Sequence, residues 1–353
     1  MAPRADGIEV IWAVSRLSRA RVECAAVDGL NSTIACDPFG FVPQGDTVLR
    51  VRLDGLVPGN SYRVRTITTA TDDEESVTSD WKSFRTLDPD AASSHFVVWN
   101  DTHRNDLSIQ QLNTITPAAD FLVWNGDTCS DCEDFNKIVP ALLHPGGCDI
   151  SAGRPLCLLW GNHDVRGPHA FRMPGIVATP TGRPFYAFRS GPVGVIFLHT
   201  GEDKPDNDPS FHGRVAFDAL RAEQAAWLAA VIQRPEMRDA PYRVVFCHIP
   251  LRWTDESPQD YTKSYDRFSE RSRAIWHNLL VAWRTQIIVS GHTHRATWIP
   301  PTEEWPYGQL IGGGPEPERA TWIEASADGT ELRFRMHTLA GKILHNLTFP
   351  PLA

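Results

Sequence analysis

The chain has 353 residues, of which 43 are acidic and 34 basic, for a formal net charge of -9. That surplus leaves no pool of positive charge to displace counterions from a long polynucleotide, so no long nucleic-acid partner is expected. Hydrophobic residues make 42% and charged residues 22%, an ordinary folded composition with room for about two domains.

The opening segment, MAPRADGIEV, carries a basic residue but no apolar signal-peptide core. The sequence as written reads as cytoplasmic, or as periplasmic or secreted if a leader has been removed. No apolar run approaches the ~20 residues of a membrane helix, so no membrane partner is expected. Residues 1–87 read as short strands at Ile8–Val14, Arg21–Ala25, Thr47–Leu53, Tyr62–Thr68 and Ser79–Phe84. Period-two alternation and close turn signals predict a small β-sandwich. Within it, Leu56–Tyr62 (LVPGNSY) sets a Pro-Gly turn ahead of a tyrosine and resembles the tyrosine corner of fibronectin type III-like domains; the other reading is a core tyrosine.

Asp88–Ser94 (DPDAASS) reads as a linker, and residues 95–353 as a second domain with another grammar. Apolar strands at His95–Asn100, Phe121–Asn125, Leu156–Trp160, Val193–Leu198, Val244–Cys247 and Gln286–Val289 alternate with helical text at Asp218–Ile232 and Ser269–Trp283. Thr321–Phe349 is strand-like again. Continuous apolar strands imply sheets covered on both faces, and helices do not follow every strand. An α/β sandwich of mixed sheets is therefore expected rather than a barrel. The seven cysteines include a lone CxxC, Cys129 and Cys132. With no second pair at suitable spacing, it reads as a local disulfide or buried thiols rather than a zinc knuckle.

Five polar motifs stand where apolar strands stop: NDTH (Asn100–His103), NGD (Asn125–Asp127), GNHD (Gly161–Asp164), CHIP (Cys247–Pro250) and SGHTH (Ser290–His294). Strand ends are where α/β folds place ligands. In extended backbone the outer residues of Asp101-Thr102-His103 and His292-Thr293-His294 would share a face. Any one motif is weak evidence, and Asn125 and Asn162 also suit turns. Together they offer the anionic oxygens and imidazoles that a close pair of cations needs.

The series DxH, GD, GNH[DE], H and GHxH resembles the calcineurin-like metallophosphoesterase superfamily over roughly residues 95–350. The resemblance implies a four-layer-type sandwich of two mixed β-sheets flanked by helices. It assigns Asp101, His103, Asp127 and His294 to one metal, with Asp127 bridging to a second that also takes Asn162, His248 and His292. His163 would be the catalytic histidine, with Asp164 beside it either as its orienting partner or as a local turn cap. Gly7–Cys24 resembles the sandwich that precedes the catalytic domain of purple acid phosphatase-like proteins. Unlike those, this chain has His103 in the first motif and Ser130 at the tyrosine position of the second. Iron is therefore open, and two divalent or mixed-valence ions among Fe, Mn and Zn are expected.

These readings predict metal-dependent hydrolysis of a small phosphomonoester or phosphodiester. The alternatives are a nucleotide or cyclic-nucleotide phosphodiesterase, or a non-catalytic binding protein. Arg166 is either a fork for phosphate oxygens or half of an ion pair; His169 and His212 are further substrate candidates. His199–Asp208, with Lys204, reads as a solvated rim loop. Trp253 is placed to stack on an apolar leaving group. Gly312–Gly314 resembles a phosphate nest but lacks a following helix, and reads as a flexible turn.

Overall fold

The computed structural model describes the chain except residues 27–28, 34, 38 and 253–263; at 29–32 and 264–269 it describes backbone only. Eight strands occupy residues 7–85: β1 (Gly7–Ala13), β2 (Ser18–Ala26), β3 (Gly29–Thr33), β4 (Gln44–Gly45), β5 (Val48–Asp54), β6 (Ser61–Ala70), β7 (Ser76–Thr78) and β8 (Lys82–Arg85). β1 and β5 form one antiparallel sheet, and β3-β2-β6-β7 another, with β4 on β2 and β8 on β6. In β5 the alternation buries Leu49, Val51 and Leu53 against Ile8, Val22, Tyr62 and Phe84. The Tyr62 hydroxyl accepts a hydrogen bond from Val57 N at 2.8 Å, the tie expected of that corner.

Twelve further strands build two six-stranded sheets. The first runs β11 (Leu156–Leu159), β10 (Phe121–Asn125), β9 (Ser94–Trp99), β18 (Thr321–Ala327), β19 (Leu332–Thr338) and β20 (Ile343–Phe349). The second runs β12 (Tyr186–Ser190), β13 (Val193–Leu198), β14 (Tyr242–Cys247), β15 (Ile287–Ser290), β17 (Gly308–Ile311) and β16 (Thr297–Ile299). β9, β10 and β11 are parallel, as are β13, β14, β15 and β17; the remaining pairings are antiparallel. Both sheets are mixed, as expected.

The helices are α1 (Asp106–Ile115), α2 (Phe135–Leu143), α3 (Met173–Ile176), α4 (Phe217–Val231), α5 (Pro235–Arg238) and α6 (Ser264–Ala282). Strand alternation decides the layers. Phe96, Val98, Phe121 and Val123 point between the sheets to meet Val195, Phe197, Val244 and Phe246. Val97, Trp99, Leu122 and Trp124 point outward to Ile109 and Leu112 of α1 and Ile138 and Leu142 of α2. On the far side, Ile196, Leu198, Val245 and Cys247 meet Leu228 and Val231 of α4 and Trp276 and Leu280 of α6. The result is helix–sheet–sheet–helix, with no helix long and apolar enough to cross a membrane among the described residues.

Helices α1 and α2 are additions to the sequence reading. α1 buries only Ser108, Ile109 and Leu112, and starts at an Asn105 cap bonded to Ser108 N. α2 carries Pro140 in its interior, which masks its helical pattern. Residues before 88 touch the larger unit through several bonds. Ala2 N donates to Leu156 O at 2.9 Å, Arg50 Nη1 to Pro174 O at 2.6 Å, and Lys82 pairs with Asp149 at 2.6 Å.

Candidate metal centre

The motifs follow β9, β10, β11, β14 and β15, so parallel strands of both sheets deliver them to one edge. Two asparagines hold the sheets together there. Asn100 Nδ2 donates to Ser290 O at 2.7 Å and Asn125 Nδ2 to Val289 O at 3.3 Å. The loops are then stitched by backbone bonds, His103 N to Asp127 O at 2.9 Å and Gly291 N to His248 O at 3.0 Å. There is little spare room: a Cβ on Gly161 would lie 2.1 Å from Asp127 Oδ1, and one on Gly291 2.2 Å from Asp101 Oδ2.

The DxH and HxH segments are not extended, which corrects the shared-face argument. Asp101 (φ 47°), His103 (44°), Asp127 (49°), His292 (72°) and His294 (55°) all lie in the left-handed region. Each such non-glycine residue costs on the order of 1–3 kcal/mol and persists only where its surroundings fix it. Here tight turns, rather than strand pleat, aim the side chains inward.

Asp101, His103, Asp127 and His294 bring one ligand atom each within 4.8 Å of one another, and Asp127, His248 and His292 do the same. Asp127 belongs to both groups. Asn162 Oδ1 lies 2.8 Å from His292 Nδ1, beside the second group. His103 Nε2 and His294 Nε2 face each other at 3.1 Å, close enough for a shared proton or a cation. His248 Nδ1 lies 2.9 Å from Asn125 O, which fixes it as donor and leaves Nε2 to the site. Asp101 and Asp127 are almost wholly buried, and Asp101 Oδ2 has no hydrogen-bond partner among the described residues.

The electrostatics describe two buried carboxylates looking for positive charge. Burial opposes ionisation of Asp127, yet His248 at 3.1 Å and the neighbouring imidazoles hold its carboxyl well below the usual range. Burial likewise opposes charge on His248, but Asp127 and Asp101 raise it to about 10. Burial lowers His292 to about 3, and His248 adds to the effect. A carboxylate and imidazole set with an orphaned oxygen fits a pair of transition metals, and two clusters of this kind form a dinuclear site.

His163 sits at the edge of the site, its backbone N bonded to Asp127 Oδ1 at 2.8 Å. Its side-chain partner is not Asp164, which corrects the pairing and leaves Asp164 the local capping role. His163 Nδ1 lies 2.6 Å from Asp131 Oδ1. Asp164 is fully buried and accepts from Gly161 N at 2.8 Å, Cys129 N at 2.9 Å and Thr128 Oγ1 at 2.7 Å. It ties the second motif loop to the third and does not face the site. Asp164→Ala would strand those buried donors, so a loss of roughly 3 kcal/mol in denaturant unfolding is expected. Unchanged stability with a selective fall in turnover would contradict this role.

Of the two readings made for Arg166, the structure shows the ion pair. Its guanidinium pairs with Glu202 and with Asp203 at 2.9 Å, while Nη1 reaches His163 Nε2 at 3.1 Å. Glu202 and Asp203 are buried, and Lys204 pairs with Asp203 at 2.6 Å, so the middle of His199–Asp208 is not a solvated rim loop. Burial, with Asp203 adding to it, lifts Glu202 to about 7 against the pull of Arg166. Asp131, Glu202 and Asp203 are residues the sequence reading missed.

Gly312–Gly314 is neither a nest nor a flexible turn. All three are buried, and a Cβ on Gly312 would strike Asn100 Nδ2 at 2.1 Å. Cys129 and Cys132 are free, buried thiols, which decides between the two CxxC readings. Cys132 acts through its backbone, taking His169 N and giving its N–H to Arg166 O. His212 is exposed and Trp253 lies outside the described residues.

The family profile of calcineurin-like phosphoesterases matches residues 94–296, more than half of the chain and all five motif loops. The chain belongs to that family. Two curated relatives, both named Serine/threonine-protein phosphatase CPPED1, come from Homo sapiens and Pongo abelii. They are 24% and 23% identical over 201 residues, and the match spans 53% of this chain and 57% of theirs. Among solved structures, the purple acid phosphatase PPD1 of yellow lupin (Lupinus luteus) has a TM-score of 0.72 at 14% identity. The alignment covers 99% of this chain and 73% of that one. A structure of PhoD has a TM-score of 0.63 at 12% identity, covering 99% and 87%. These two show likeness of fold, and the likeness takes in the N-terminal strands.

Proposed function

We propose that the chain is a dinuclear-metal phosphoesterase acting on small phosphate esters. The observation that carries this is the pair of ligand groups sharing Asp127 beside an imidazole, His163, that is not needed for either group. Asp101, His103, Asp127 and His294 would hold one ion; Asp127, Asn162, His248 and His292 the other. Two cations held there would lower the pKa of water and offset phosphoryl charge.

The chain's own residues do the rest. Asp131 fixes the His163 ring, whose Nε2 lies 3.1 Å from Arg166 Nη1. In that position His163 would protonate the leaving oxygen or donate to a phosphoryl oxygen. Glu202 and Asp203 hold the Arg166 fork in place. Residues 1–87 act in this reading as a fibronectin type III-like sandwich bracing the catalytic unit at 95–353, with 88–94 as linker. The test is a screen of phosphomonoesters, phosphodiesters and nucleotides with Mn, Fe, Zn and Mg supplied separately. Metal-dependent turnover of an ester supports the proposal, and no turnover under any metal contradicts it.

Colour gives a separate expectation. Ser130, at the tyrosine position of the purple enzymes, donates its hydroxyl to His103 O at 2.9 Å. Tyr186 is buried, with its hydroxyl on Leu158 O at 2.8 Å. Iron-loaded active protein should therefore lack a tyrosinate charge-transfer band in visible spectroscopy. A strong band removed by a tyrosine substitution would contradict the ligand set.

A further inference from the structure

Next to His163 and Arg166 the surface opens into a cleft of about 830 Å³, within the usual range for small-molecule sites of roughly 300–1,000 Å³. Asp131 and Arg166, which both touch the His163 ring, are among its lining residues, so the cleft borders the proposed reaction centre. Its walls include Trp160, Phe211 and Phe217, and Phe171 stands among its lining residues with 77% of its surface exposed. A large exposed aromatic gains nothing for the fold, yet the turn that carries this one is anchored. The Ala170–Arg172 turn is pinned by buried Met173 and by Arg172, whose guanidinium lies 3.9 Å over the Phe135 ring. His169 N bonds to Cys132 O at 3.0 Å, joining the same segment to the Asp131 loop.

The charges at the cleft argue against a polyanionic occupant. Arg166 is paired with Glu202 and Asp203, and Lys204 with Asp203. Arg214, with its Nε on Phe211 O at 3.0 Å, stands in the lining opposed by the acids Asp131 and Glu133. What remains is an aromatic-walled space of mixed charge that borders Asp131 and Arg166.

We infer that this cleft is a leaving-group subsite for an aromatic phosphomonoester, with Phe171 as the specificity-determining stacking surface. The inference rests on the phosphoesterase reading. In the reaction, water oxygen bonds to phosphorus and the phosphorus–aryloxy bond breaks. The electron pair leaves on the aryl oxygen, which takes a proton, giving orthophosphate and a phenol. The ring lies in the cleft throughout, so stacking on Phe171 acts on binding more than on chemistry.

Calorimetric binding of metal-loaded protein to 2-naphthylmethylphosphonate and to methylphosphonate tests this without turnover. The wild type should prefer the naphthyl compound. Phe171→Ala should weaken that compound about 5-fold, the size of one aromatic contact, and leave methylphosphonate unchanged; Phe171→Trp should retain the preference. In turnover, KM for 2-naphthyl phosphate should rise in Phe171→Ala with kcat nearly constant. Equal wild-type affinity for the two phosphonates, or equal losses in Phe171→Ala, would overturn the subsite. Absence of all phosphoester turnover would instead strike the underlying reading.

Discussion

Asp127→Asn is expected to lower turnover by roughly 10³-fold or more, because metal-derived charge stabilisation is worth several kcal/mol and each decade is about 1.4 kcal/mol. Asp127 is the residue common to both ligand groups. Its replacement should therefore lower metal content at both positions together. Asparagine keeps the oxygen that accepts His163 N, so the third motif loop should stay in place. Asn162→Ala, by contrast, touches only the second group and should leave one equivalent bound. Elemental analysis of the two variants checks the difference. If Asp127→Asn retained one tightly bound ion while Asn162→Ala lost both, the bridging assignment would be wrong.

The second large effect belongs to His163. His163→Ala should reduce turnover by roughly 10²–10⁴-fold, the range for a positioned general acid, with metal content and folding close to wild type. The ring is not a member of either ligand group, and only its backbone N touches Asp127. Asp131→Asn should act in the same direction but less severely, since it removes the carboxylate at 2.6 Å and leaves the imidazole present. Both losses should shrink for a phosphate ester with a very acidic leaving group, whose oxygen departs without a proton. A loss independent of leaving group would move His163 from the leaving oxygen to the equatorial phosphoryl oxygens. Wild-type turnover in His163→Ala with every substrate would remove it from the reaction.

The contrast between these two residues shows what the sequence reveals. His163 is legible because it stands in GNHD directly behind β11, and strand ends advertise themselves through the apolar run before them. Asp131 gives no such sign. It lies in a loop at φ 66°, and its partner is 32 residues away, so only the folded loops bring them together. Asp164 was the natural guess because it is adjacent, but adjacent side chains diverge, and its carboxylate is consumed by buried backbone donors. Glu202 and Asp203 illustrate the opposite error. A charged stretch ordinarily faces water, and here Arg166 provides the counter-charge that lets two carboxylates sit inside.

The fold divides in the same way. The outward alternation of β5 and the continuous apolar runs of β9, β10 and β14 are local patterns, and they foretold the small sandwich and the two covered sheets. α1 and α2 were hidden because α1 buries so few side chains and α2 contains Pro140. The three glycines at 312–314 looked like slack in the chain. They are the space into which Asn100 and His294 pack beneath the centre, a requirement set by other loops.

The most direct test of the dinuclear centre is the metal content of active wild-type protein, titrated from the metal-free state with turnover followed at each addition. Two equivalents per chain should bind, with full turnover reached only at the second. Full activity at one equivalent, with no further uptake, would contradict the account.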